Sequence, residues 1–273
     1  MSSYEFVIKP RTGWRTLDLR EVARYRELFA FLVWRDIKVR YRQTLLGGLW
    51  AILQPLIAMA VFTIIFHRMA GVGTDGAPYP LFAFAGLAPW TFFSVGVSQS
   101  SNSLIGNQNL VSKVYFPRIF IPLGAVSALL MDLVLSLGIF SVLLFWYHWR
   151  VTMAVFLLPI FIVGAFLAAG GIGLVLSALN VSFRDVKYAV PFLVQMGLFV
   201  TPVIYPVRYV PKRWIWILAV NPMSGVILGF RRCLLGTEES WPLIASSLGM
   251  CVLLFVIGLY VFGRMERRFA DII

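Results

Sequence analysis

Between Ile119 and Trp146 the sequence carries a single charge, Asp132. A run of this length, with no alternation of polar and apolar positions, constrains the fold more than any other feature of the chain. A hydrocarbon layer of about 30 Å is crossed by roughly 20 apolar residues in a helix, and every backbone amide there must be paired within a helix or a closed barrel. Barrel strands alternate and these runs do not, so helices are expected. Comparable runs recur at 45–66, 81–106, 151–179, 188–205 and 243–263. Composition agrees: 13% of the 273 residues are charged and 60% hydrophobic, against about 25% charged in a soluble domain. The chain reads as an all-α integral membrane protein with six transmembrane helices.

Residues 1–44 hold ten Lys or Arg and five acids. Within them, 27–43 place Leu28, Phe31, Leu32, Arg35 and Val39 at helical spacing, which predicts an amphipathic helix in the membrane interface. No early apolar core marks a cleavable signal peptide. Pro55, Pro191 and Pro202 are expected to kink or end the first and fifth spans. Between the fifth and sixth, residues 206–242 contain two short apolar runs, 214–220 and 223–230, separated by Asn221-Pro222. Each is too short to cross, so a re-entrant helix pair is expected before the last span. With both termini in the cytoplasm, 17 of the 24 Lys and Arg fall on that side, as the positive-inside rule requires. The layout is then a cytoplasmic tail and interface helix (1–44), spans one to five (45–205), an outer re-entrant segment (206–242), span six (243–263) and a cytoplasmic tail (264–273).

The chain has no Gly-rich phosphate loop ending in Lys-Ser or Lys-Thr. The glycines of 170–173 lie inside an apolar run, with Ala165, Ala169 and Gly173 four apart, a spacing that lets helices approach closely. Cys233 and Cys251 read as small buried hydrophobes, and His67 and His148 stand alone, so no metal site is expected. Asp132 is the only acid well inside a span. It is a functional candidate, or else a structural hydrogen-bonding partner of a neighbouring helix.

Five segments together carry a family resemblance: RDIKVRYRQTLLGGLWAILQPL (35–56), NLVSKVYFPRIFIPL (109–123), NVSFRDVKYAVPFLVQMGLFVTPVIYP (180–206), NPMSGVILGFRRCLLG (221–236) and GRMERRFADII (263–273). In this order they resemble the membrane subunits of bacterial ABC exporters for polysaccharides. These are the O-antigen and teichoic-acid export permeases of the type-two ABC transporter superfamily. The resemblance implies a single permease domain in the bacterial inner membrane, working as a homodimer. Two copies of a separate ATPase would bind ATP and Mg, leaving this chain without cofactor, metal or catalytic residues. The implied cargo is a polysaccharide on undecaprenyl pyrophosphate, with O-antigen as the first expectation and teichoic acid as the alternative.

The resemblance also implies roles. The segment Asn109, Leu110, Val111, Lys113, Val114, Tyr115, Phe116, Pro117 and Arg118 matches the helix that seats in the ATPase. Leu110, Val111, Val114, Tyr115 and Phe116 would be its anchors, and Lys113 and Arg118 would orient it. Arg35, Arg40 and Arg42 would hold either anionic lipid or the cargo's pyrophosphate, and Arg184 and Asp185 would pair or brace the entrance. Gln54-Pro55 and Thr201-Pro202 would form a lateral gate. Trp90, Phe92, Phe93, Phe199 and Tyr205 are candidates for a conduit wall, since sugar C–H faces pack on aromatic rings, or for an interfacial belt. A membrane-embedded glycosyl or phosphoglycosyl transferase would instead need paired carboxylates, which the sequence scatters. An ion-coupled carrier would need an internal repeat.

Overall fold

A computed structural model of the chain describes residues 24–42, 49–71, 73–74, 76–266 and 269. Most of the basic amino-terminal tail, the start of the first expected span (45–48) and most of the carboxyl-terminal tail lie outside the described residues. Among those described, the regular structure is helical: α1 (Arg26–Arg42), α2 (Leu49–Phe62, continued by a π turn, Thr63–Met69), α3 (Tyr79–Gly106), α4 (Gln108–Lys113), α5 (Phe120–Ala128), α6 (Leu130–Trp146), α7 (Leu158–Ser182), α8 (Val186–Val200), α9 (Ile215–Val220), α10 (Pro222–Leu235) and α11 (Trp241–Met265).

Among the described residues, four stretches are long and apolar enough to cross a membrane: Tyr79–Gly106, Phe120–Trp146, Met153–Ser182 and Trp241–Met265. The α9–α10 pair, bent by 97°, makes a fifth if it is counted as one broken span. The chain is a multi-pass membrane protein. The first and fifth expected spans appear as shorter apolar helices, Leu53–Met69 and Val186–Val200. Local chemistry shapes both helices within the described residues. The Thr63 hydroxyl bonds back to the Met59 carbonyl (2.7 Å) where α2 slackens into its π turn. Helix α8 ends where Thr201 turns extended, the conformation favoured before Pro202.

Helix α3 sits at the centre, touched by α2, α5, α6, α7, α8 and α10. Helix α7 is clamped between α3 and α11, and its small residues divide between the two. Ala165, Ala169 and Gly173 are buried, and the last two face α3: a methyl group at Gly96 would meet Ala169, and one at Gly173 would meet Ser100. The opposite face belongs to Gly171. A Cβ there would lie 2.6 Å from the Leu254 carbonyl of α11, while one on Gly258 would strike the Gly171 oxygen. Backbone therefore meets backbone, a contact that only glycine permits. We expect Gly171→Val to force α7 and α11 apart and to cost about 1–3 kcal/mol, read as an earlier thermal transition of the detergent-purified chain.

A second, smaller core closes one end of the bundle. Leu32 of α1, Val111 of α4, Phe116, Phe120, Val181 and Phe262 meet there. This end carries the 107–119 connector, the start of α5 and the end of α11.

Candidate functional site

The connector after α3 is a six-residue helix followed by an extended strand-like turn. Asn107 ends α3 and begins α4, and Val114 turns extended after it. The turn splits the expected anchors into two sets. Val111 and Phe116 (5% exposed) face inward and belong to the second core, and Leu110 is half-buried against it. Asn109, Lys113, Val114 and Tyr115 (65% exposed) face out. Pro117 precedes α5, and Arg118 is occupied within the chain: its backbone N–H donates to Glu266 Oε1 (3.2 Å) and its guanidinium to the Glu266 carbonyl (3.0 Å). The outward set is thus a short apolar and basic knuckle braced from behind by the protein's own core.

Helix α1 lies lengthwise on α5. Phe29 meets Phe120 with ring centroids 5.3 Å apart, and Val33 approaches Gly124. Tyr41 reaches Asp132. All three pairs are 91 positions apart, the signature of two helices running side by side in one direction. At the far end of this seam the Arg40 guanidinium bridges two helices: Nη2 lies 3.1 Å from Asp132 Oδ2, and Nη1 donates to Gln99 Oε1 at 3.2 Å. The Tyr41 hydroxyl donates to the other carboxylate oxygen. Burial first, and then the bond to Asp132, raise the Tyr41 pKa above its ordinary value, so it remains a donor. Arg35 pairs with Asp36 (2.8 Å), and Arg42 is exposed. Arg184 and Asp185 are exposed on the turn between α7 and α8 and do not pair with each other.

The conduit candidates separate as well. Trp90, Phe92 and Phe93 are buried inside this chain, where Trp90 packs over Gly197 of α8. Phe199 is exposed and Tyr205 half-buried, its hydroxyl donating to the Phe199 carbonyl (3.1 Å). Pro55 is buried, whereas Gln54 is exposed beside a groove of about 510 Å³ lined by Ile57, Ala58, Val61 and Phe62. The less covered face of α3 is a different one, half-buried at Thr91, Ser94, Val95 and Ser98 and exposed at Gln99 and Asn102. It carries Thr91, Ser94, Val95, Ser98, Gln99 and Asn102, recurring at three- and four-residue intervals. The polar turn after Val97 is visible in the sequence; that its residues share one face with Thr91 and Ser94 is read from their spacing.

Thr201 and Pro202 are buried in a pinned loop. The Asn221 side-chain amide donates to Thr201 Oγ1 (2.8 Å), the Tyr79 hydroxyl to the Ile204 carbonyl (2.8 Å), and Arg231 to the carbonyls of Pro202 (2.8 Å) and Val203 (2.6 Å). Arg231 is fully buried, with its guanidinium 3.5 Å from the centroid of Phe82. Sequence reasoning passed over it, although a charge on the apolar side of 223–235 is the signal. Asn221 also caps α10, accepting from Met223 N (3.0 Å), and so makes the 97° bend. Ser247 of α11 donates toward the carbonyls of Leu218 (3.2 Å) and Asn221 (2.6 Å), satisfying acceptors that the bend exposes.

The family description "ABC-2 type transporter" matches residues 27–235, from α1 to the end of α10. The chain belongs to the ABC-2 type transporter family. Among curated relatives, an O-antigen export system permease protein RfbA of Myxococcus xanthus is 32% identical over 257 residues, covering 93% of this chain and 98% of that one. A Klebsiella pneumoniae protein of the same name is 28% identical over 248 residues, 90% and 95% of the two chains. The polysialic acid transport protein KpsM of Escherichia coli is 27% identical over 242 residues, 85% and 91%. The match to this ABC-2 transporter thus takes in the connector, the pinned loop and the bent pair alike.

Proposed function

We propose that this chain is the membrane subunit of an ATP-driven exporter that carries a polyprenyl-pyrophosphate-linked polysaccharide, O-antigen in the first instance, from the cytoplasm through a conduit made by two copies. Teichoic acid is the alternative cargo. Two copies of a separate ATPase bind ATP and Mg and grip the Asn109–Tyr115 knuckle. The termini face the cytoplasm across a bacterial inner membrane. Helices α2 and α8 complete the six spans; α9 and α10 form a re-entrant pair, and α1 stands at the cytoplasmic interface.

The observation that carries this reading is the partly covered polar face of α3. Polar side chains within a membrane span turn to a bundle interior or to water, yet a single copy covers this face only in part: Thr91, Ser94 and Ser98 are half-buried, and Gln99 and Asn102 are exposed. Helices α2 and α8 both lean on α3, and both leave apolar residues exposed: Ile57 and Val61 on α2, Phe192 and Met196 on α8. A second copy set against those faces would enclose the polar stripe. Hydroxyls and amides that already bond their own helix, such as Ser98 to the Ser94 carbonyl (2.8 Å), offer a passing sugar chain weak, exchangeable partners. We expect Ser98→Leu with Asn102→Leu to lower polysaccharide export about tenfold while the chain still purifies with its ATPase. Export at the parental rate from that double variant would remove α3 from the conduit.

A further inference from the structure

Arg40, Tyr41, Gln99 and Asp132 form a node where α1, α3 and α6 meet. Asp132 is held through both oxygens by consecutive residues of the last turn of α1, and Arg40 spends its second amino group on a neutral amide. The node is not sealed: the Arg40 side chain is 31% exposed and that of Asp132 17%. A guanidinium fork engaged by one carboxylate on an open side has the geometry that also accepts a phosphate. The node also sits at the end of α1, which closes one residue past Tyr41.

We propose that Asp132 is an internal stand-in for the phosphate of a lipid headgroup: it holds Arg40 in the empty protein and yields it when such a headgroup arrives. This rests on the exporter reading above and assigns Asp132 a part in it. Tyr41, which stays with Asp132, keeps the released carboxylate from being left without a donor. The exchange frees the end of α1 from α6. Asp132 and the headgroup compete for one cation, so removing Asp132 and removing Arg40 have opposite consequences for headgroup binding. A purely structural ion pair would respond to loss of either partner in the same direction.

The test is direct binding of radiolabelled farnesyl diphosphate to the full chain with its ATPase in phosphatidylcholine nanodiscs. Asp132→Asn should tighten binding about tenfold and Arg40→Gln weaken it about tenfold, with the double variant matching Arg40→Gln. Should Asp132→Asn fail to assemble, Asp132→Ala carries the same expectation; failure of both to assemble overturns the proposal. Equal or same-direction shifts in the two single variants, or no binding by the parent, also overturn it. Phosphatidylglycerol nanodiscs separate the sources. Displacement of the probe there assigns the site to bilayer lipid, and undiminished binding assigns it to the diphosphate cargo. An opposite-direction result in a complex that exports no polymer would spare this inference and sink the exporter reading.

Discussion

Replacing Arg231 with alanine is expected to leave little folded protein. Its guanidinium is the only side chain that donates to the Pro202 and Val203 carbonyls, among the described residues, and it lies fully buried over Phe82. Truncation strands two acceptors at about 1–3 kcal/mol each and opens a cavity beside them. Against the roughly 5–15 kcal/mol that separates folded from unfolded states in typical domains, that is a large share. Gly86 worsens the outcome. It has no side chain because the Val203 oxygen occupies the space a Cβ would take, 2.6 Å away, so the loop cannot relax inward. Lysine keeps the charge but brings a point donor in place of a fork and loses the flat stack on Phe82, so Arg231→Lys should lie between the two. Fluorescence-detected size exclusion after heating reads the series. An alanine variant that melts with the parent would show that the loop is held by its other two pins, Tyr79 and Asn221.

The second large effect is on assembly. Lys113→Glu combined with Tyr115→Ala should abolish co-purification with the ATPase while leaving the permease's own melting unchanged. Tyr115 projects its ring from a rigidly backed turn, and such anchors commonly account for 2 kcal/mol or more of an interface, about thirtyfold in affinity. Lys113 acts on approach, through charge. Phe116→Ala is the informative contrast. Phe116 is buried in the second core, so its truncation should cost about 3–5 kcal/mol of stability and disturb the ATPase only indirectly. If the Lys113/Tyr115 variant retains its partner at normal yield, the knuckle is not the grip.

The sequence was informative wherever chemistry is local. The four long apolar runs became the long helices, and Asn221-Pro222 became the break, because an Asn cap followed by Pro at the first helical position starts a new helix whatever surrounds it. The segment 27–43 became α1 with nearly the same ends. What stayed hidden depends on which face of a helix finds a neighbour. Trp90, Phe92 and Phe93 are aromatic enough to suggest a wall, yet all three are buried, whereas Thr91, Ser94 and Ser98 on another face are half-buried. Val111 and Phe116 look like docking anchors until the second core is seen to take them. Asp132 could not be interpreted until α1 lay alongside α5, which put Arg40 and Tyr41 within reach of a residue more than 90 positions away.

The Gly171–Gly258 crossing has a mechanical corollary. Two helices in backbone contact cannot slide without losing it, and α7 is held just as closely to α3 by Ala169 and Gly173. These three members therefore form a stator. Relative movement within the chain then falls to helices outside this trio, among them α2 and α8, which both touch α3.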